Sequence, residues 1–348
     1  DVIVKIIYCI CRRKEMSFAS EQYENAVKFK ASLRDDEENE YVLTVNGKQY
    51  HHFFKKTPLN LWKNIRKDAL DYFSAKGINW HSNSMENNPE TIPEGDMLSS
   101  QVSCVNHLFL LRKNQNYAST ILKNIDKRII SAEIVCDGYG NDGYIEFESW
   151  GTKENNNPLN EKSPDRKRGE KSTSADAIMV GRKNDGKNIL ILIEWKFTED
   201  YTKNYGSKDK CKFVEKDRNG NPYHEYHLLF DDPSCPIQPI DDFKDLYYEP
   251  FFQLMRQTLL GWKMVEANVM DCDEYIHLHI IPNDNLKIQE IISPNLKDKG
   301  INMSDVWKKL LKKPLRYKLL SPEELLSPLK TNQETKDFFD YLKTRYLE

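Results

Sequence analysis

Residues 189–193, Ile-Leu-Ile-Leu-Ile, constrain the fold more than any other stretch, because they carry no polar alternation. A strand with one wet face alternates polar and apolar residues, so an unbroken run belongs in a sheet covered on both faces. The run leads directly into Glu194-Trp195-Lys196. A second short strand upstream carries Asp176, and the turn Asn184-Asp185-Gly186 lies between the two, as in an antiparallel hairpin. With the turn centred on Asp185, Asp176 lies nine residues before it and Glu194 nine after, so the carboxylates oppose each other. Side chains alternate along a strand, which puts Glu194 and Lys196 on one face and Trp195 on the other. Two acids and a lysine thus converge at the end of a buried strand. Paired acids raise a carboxyl pKa unless a cation compensates, a cost that proteins tolerate mainly at functional sites. The plain alternative is a solvated sheet edge whose cross-strand ion pairs stabilise little.

Asp176, a spacer and Glu194-Trp195-Lys196 resemble the D…(E)xK signature of the PD-(D/E)XK nuclease superfamily, the restriction-endonuclease-like fold. The aspartate follows Thr173-Ser174-Ala175, and a helix with Gln253-Leu254-Met255-Arg256-Gln257 precedes the next strand. The phrases SSQVSCVN, TSAD, IEWKFTE and FFQLMRQ are similar to those of bacterial restriction endonucleases of this superfamily, over about residues 16–326. The resemblance implies an α/β (α+β, mixed-sheet) fold: an αβββαβ core with N-terminal and C-terminal helical additions. It implies phosphodiester hydrolysis in DNA, double-stranded in the first instance, with Mg²⁺ as cofactor and Mn²⁺ as substitute. Asp176, Glu194 and the backbone carbonyl of Trp195 would ligate the metal, and Lys196 would orient or deprotonate the attacking water. A homodimer and a separate methyltransferase are the partners such an enzyme implies.

Many relatives in the superfamily carry a metal-binding glutamate on the first core helix, yet no acidic residue occurs between residues 97 and 125. Gln101, Glu146 and Glu148 stay open as the third ligand. Glu146 and Glu148 alternate with Ile145 and Phe147, so both share a strand face, and Glu148 is favoured as the one farther along. Gln253, with Arg256 and Gln257 beside it, could orient water or contact phosphate, or could pair with the backbone instead.

Periodicity orders the core as helix 98–125, strands 144–150, 174–181 and 189–196, helix 247–266 and strand 275–281. The chain divides into residues 1–15 (an upstream extension or artefact), 16–96 (helix and hairpin), 97–282 (core, with an insertion at 200–245) and 283–348 (helical). Within the first of the folded regions a helix is expected over 17–33, a hairpin about Asn46-Gly47 and a helix over 59–76. His81 reads as a packing or capping residue. A further hairpin is expected at Asn219-Gly220.

The formal net charge of −3 excludes a globally basic nucleic-acid coat, so phosphate contacts must be local. The two local candidates are Arg166-Lys167-Arg168 and a basic amphipathic helix over 303–318 that includes Lys312 and Lys313. Either could equally be a solvated run. Seven cysteines without a CxxC pair read as reduced thiols in a cytoplasmic protein. Neither G-x-G-x-x-G nor a Walker A pattern occurs, and no apolar run is long enough for a bilayer. Two rival readings remain: a nucleic-acid-binding protein of the same fold without catalysis, and an unrelated enzyme forming a Schiff base at Lys196.

Overall fold

The computed structural model describes residues 16–81, 90–161, 167–168, 172–202 and 226–346. Arg166, the expected hairpin at Asn219-Gly220, residues 1–15 and much of the insertion lie outside the described residues. The first helix, α1 (Phe18–Ala31), starts where the Ser17 side chain accepts from the Ser20 N–H. Asn46-Gly47 turns the short hairpin of β1 (Leu43–Val45) and β2 (Lys48–Tyr50). Helix α2 (Arg66–Lys76) ends on Gly77 in the left-handed conformation. The segment read as one helix over 98–125 is two, α3 (Ser100–Leu108) and α4 (Gln115–Ile125), with a 3-10 stretch Phe109–Lys113 between them. Asn114 causes the break, since its side chain accepts from the Tyr117 N–H and caps a new helix.

Six strands form one mixed sheet: β3 (Ile129–Glu133), β4 (Glu146–Ser149), β5 (Ala175–Lys183), β6 (Asn188–Trp195), β7 (Cys272–Ile280) and β8 (Tyr317–Leu320). Strands β3 and β4 follow one another along the same edge of β5, and the order then runs β5-β6-β7-β8. Pairing is antiparallel up to β6 and parallel from β6 to β8. Helix α5 (Phe251–Glu266) crosses over from β6 to β7, and α6 (Met303–Leu310) from β7 to β8. Helix α7 (Lys336–Tyr346) ends the described chain. The αβββαβ order expected from periodicity is present, in a mixed α/β fold consistent with a restriction-endonuclease-like core.

The β5–β6 ladder runs from Ala177↔Ile193 to Arg182↔Asn188, so one further step sets Asp176 opposite Glu194, as centring on Asp185 predicts. Both faces of this hairpin are covered. Ala177, Met179, Ile189, Ile191, Ile193 and Trp195 join the apolar cluster that α3, α4 and α7 complete. Ile178, Val180, Leu190 and Leu192 join the cluster beneath α5 and α6. That two-sided burial is the physical reason the run lacks polar alternation. Helix α5 lies close on the sheet because Gly261 has no side chain; a Cβ there would stand 2.7 Å from Leu192 and 2.9 Å from Tyr275.

The basic stretch 303–318 differs from its expectation. Helix α6 stops at Leu310, a 3-10 turn Pro314–Arg316 follows, and Tyr317 begins β8 against β7. The apolar side of α6 (Met303, Val306, Trp307 and Leu310) is buried in the core, so no apolar face is left for a membrane surface. Among the described residues no helix is long and apolar enough to cross a membrane.

Candidate active site

A cleft of about 360 Å³ opens at the ends of β5 and β6, between the start of α3 and the first turns of α5. Asp176, Glu194 and Lys196 all line it, on the sheet face that α5 covers, as their alternation requires. The Lys196 Nζ lies 2.5 Å from Glu194 Oε1, and both side chains are buried. The Trp195 N–H donates to Asp176 Oδ2 at 2.6 Å, which ties β6 to β5 at the motif itself. The Lys196 N–H donates to Ile280 O at 2.9 Å and ties the same turn to β7.

Burial, and then the Glu194 carboxylate, push the Asp176 carboxyl well above the usual range, against the opposing pull of Lys196. For Lys196 burial acts downward, but Glu194, with Tyr201, Glu199 and Asp176, outweighs it and holds the ammonium well above its ordinary range. An uncharged amine nucleophile, which a Schiff base needs, is disfavoured here.

Glu148 lines the cleft too. Its Oε1 accepts from Gln101 Nε2 at 2.8 Å and its Oε2 from Ser174 Oγ at 3.1 Å. Glu146 does not share that face, contrary to strand alternation. It accepts from Tyr72 at 2.7 Å and pairs with Arg112 at 2.5 Å and Lys76 at 3.0 Å, in a buried network on the far side. Glu148 takes a φ of +48°, and this left-handed residue breaks the alternation between the two. Of the three alternatives for the third ligand, Glu148 and Gln101 reach the cleft and Glu146 does not.

The glutamines of α5 divide their roles. Gln253 accepts from the Tyr201 hydroxyl at 3.0 Å, whereas Gln257 Nε2 donates to Glu194 Oε2 and, at 2.9 Å, to Ser174 O. Arg256 lines the cleft, with its guanidinium 4.6 Å from the Phe252 ring. The other basic candidates lie elsewhere. Arg168 is buried, bound to Asp137 at 2.8 Å and to Phe147 O at 3.2 Å, and is not presented to a ligand. Lys167 is exposed, 3.9 Å from Glu90. Lys312 and Lys313 border a different cavity beside Cys235 and Tyr275.

Three residues to which the sequence reading gave no role in the site line the cleft, His81 among them, which read as packing or capping. Ser100 Oγ donates to the Trp195 carbonyl at 3.0 Å from the first turn of α3. Ser174 touches both Glu148 and Gln257. His81, half-exposed at the cleft mouth, has Nε2 3.8 Å from Glu148 Oε1, and its N–H donates to Gln101 Oε1 at 2.8 Å. His81 lies 19 residues before α3 begins, and periodicity cannot turn that separation into contact.

Among the described residues no three His, Cys, Asp or Glu side chains stand close enough to make a ready metal site. The carboxylates on the cleft are Asp176 and Glu194, opposed across the two strands, together with Glu148 and Glu199, and the Trp195 carbonyl directly follows Glu194. An all-oxygen set of this kind suits a hard divalent cation, and the Asp176 carboxyl is raised first by burial and then by Glu194.

A mixed sheet of this order, with helices on both faces, is consistent with a restriction-endonuclease-like core. The chain belongs to the family described as restriction endonuclease associating with ARP, whose model matches residues 24–347. Comparison with curated proteins and with solved structures finds no match.

Proposed function

We propose that the chain is a PD-(D/E)XK-type endonuclease that hydrolyses phosphodiester bonds in DNA with Mg²⁺, for which Mn²⁺ substitutes. The observation that carries the reading is the in-register opposition of Asp176 and Glu194, with Lys196 held 2.5 Å from the latter on one covered sheet face. Asp176, Glu194 and the Trp195 carbonyl would hold the metal, with Glu148 as the fourth donor. Bound there, the metal would acidify water and neutralise charge building on the phosphate.

The chain's own groups do the rest. The Lys196 ammonium, kept charged by Glu194, donates to the attacking water or to a phosphate oxygen and stabilises the charge of the transition state. Gln257 fixes Glu194, and Ser100 fixes the Trp195 carbonyl, so both donors are set before substrate arrives. Arg256 at the cleft wall is the nearest candidate for a DNA phosphate. The family description adds an association with ARP, and we take such a partner to be part of the protein's working context.

Plasmid incubated with the purified protein in Mg²⁺, Mn²⁺, Ca²⁺ or EDTA tests the proposal. Cleavage is expected in Mg²⁺ and Mn²⁺, and is expected to vanish in Lys196→Ala and Asp176→Asn with the circular dichroism unchanged. Full activity in folded Lys196→Ala would sink the assignment. Metal-independent DNA binding without cleavage would favour the non-catalytic rival.

A further inference from the structure

Glu148 and Gln101 both reach the cleft, and the bonds around them decide how they divide the work. We infer that Gln101 is a positioning residue rather than a ligand: its one amide holds the Glu148 carboxylate in the cleft and ties the segment 79–81 to the same point. The purpose of that hold, to set Glu148 as an oxygen donor before a cation arrives, rests on the metal-dependent reading above.

Gln101 stands in the first turn of α3 and is only 6 % exposed. Its Nε2 donates to Glu148 Oε1 at 2.8 Å and to Asn79 O at 3.3 Å, while its Oε1 accepts from the His81 N–H at 2.8 Å. These partners fix which end of the amide points where. An ionised carboxylate only accepts and a backbone N–H only donates, so the NH₂ faces Glu148 and the oxygen faces His81. Turning the oxygen to the cleft would set it against the Glu148 carboxylate and the NH₂ against the His81 N–H. All three hydrogen bonds would be lost, and buried groups left without partners are costly.

Glu148 depends on the hold. Its left-handed backbone turns it out of the strand alternation toward the cleft. The pairs Phe147↔Ala177 and Ser149↔Ala175 set it opposite Asp176, so Glu148, Asp176 and Glu194 stand in one row across β4, β5 and β6. Like charges in such a row repel. Two donors oppose that repulsion at Glu148, Gln101 on Oε1 and the Ser174 hydroxyl on Oε2. Gln101 is the one anchored from outside the sheet. Between its two backbone partners lies Trp80, buried and stacked on Phe73 with ring centroids 3.8 Å apart.

Calorimetric titration of Mn²⁺ into the full chain, as a double-mutant cycle, tests whether Gln101 acts through Glu148. Gln101→Leu should weaken Mn²⁺ binding about 10–100-fold. In Glu148→Ala, which has no carboxylate left to hold, the same change should weaken it by less than about twofold. Losses that multiply, as for two independent ligands or a general loosening of the fold, overturn the inference. Amide hydrogen exchange without metal is the second readout. The His81 N–H should exchange about tenfold faster in Gln101→Leu, and faster in Glu148→Ala too, because one amide joins the two ends. An unchanged His81 rate in either variant overturns the inference. A parent that binds no Mn²⁺ sinks the metal-dependent reading, and the His81 rates then decide the positioning role by themselves. Should Gln101→Leu or Glu148→Ala not fold, Gln101→Met or Glu148→Gln takes its place with the same expectations.

Discussion

Glu148 holds a left-handed backbone, φ +48°, which a non-glycine residue adopts at a cost of about 1–3 kcal/mol. Such strain persists where surrounding contacts over-determine it, and here Gln101 and Ser174 hold the carboxylate from two sides. The sequence showed two acids two positions apart and favoured Glu148 only as the one farther along the strand. Alternation assigned them one face, and a single dihedral separated them. Gln253 and Gln257 pose the same limit on a helix: four residues apart, both point toward the cleft, and only the placement of α5 decides which meets Glu194. Gln257→Leu is therefore expected to weaken apparent Mg²⁺ affinity about 10–100-fold, read as a shift in the Mg²⁺ titration of cleavage. Gln253→Leu should shift that curve far less, and equal shifts would show that the glutamines do not act through Glu194. By contrast Asp176, Glu194 and Lys196 were legible together, because a tight turn fixes register and register fixes faces.

Among elements, the hairpin β5–β6 was the easiest to read, and β8 was missed. Strand β8 is four residues long, follows a basic run and earns its assignment only from pairing with β7, a long-range partner that local pattern cannot supply. Strand β7 itself carries an unusual pair. His277 and His279 stack with ring centroids 6.3 Å apart, on the face of the sheet under α5. Each presents Nδ1 to a hydroxyl, of Thr258 and Tyr317 respectively, at 3.2 Å. Burial pushes His277 down to about 3 and His279 well below its ordinary value, so both are neutral in the fold. An unfolded chain protonates these histidines near pH 6.5. Below that pH it binds protons that the folded sheet refuses, and stability falls until the folded pKa is passed. His277→Asn keeps a partner for Thr258 but does not titrate. Between about pH 7.5 and 5.5 it should lose about 1.4 kcal/mol less unfolding free energy than the parent, measured by urea titration at each pH. Parallel pH curves for the two proteins would refute the assignment of a neutral buried histidine.

At the scale of the molecule, the flanking regions and the core are joined more closely than composition suggested. Trp62, Leu122 and Phe338, one from each of the regions 16–96, 97–282 and 283–348, enter a single apolar cluster. Helix α7 is clasped by α1, with Asn25 Nδ2 donating to Arg345 O at 2.7 Å and Gln22 to Tyr346 O. Arg345 is 1 % exposed and donates to Met97 O at 2.6 Å and Asn60 Oδ1 at 3.1 Å. Arg345→Ala strands both acceptors and opens a void, so it should destabilise the whole fold by about 2–5 kcal/mol. Far-ultraviolet dichroism and tryptophan fluorescence should report one shared, lowered denaturation midpoint. Two separated midpoints would mean that the C-terminal helix is an independent unit.

The clasp also has a place in time. Gln22 and Tyr346 are 324 residues apart, and a ribosome adds roughly 5–20 residues each second, so α1 is translated roughly 15–60 s before its partner exists. The turn between β5 and β6 needs no such wait, since its strands emerge one after the other. A cavity behind Trp195, with Gln22, Glu323 and Tyr346 in its wall, is completed only once α7 has been made. A nascent chain stalled before α7 would carry the acid–lysine hairpin but neither the clasp nor that cavity.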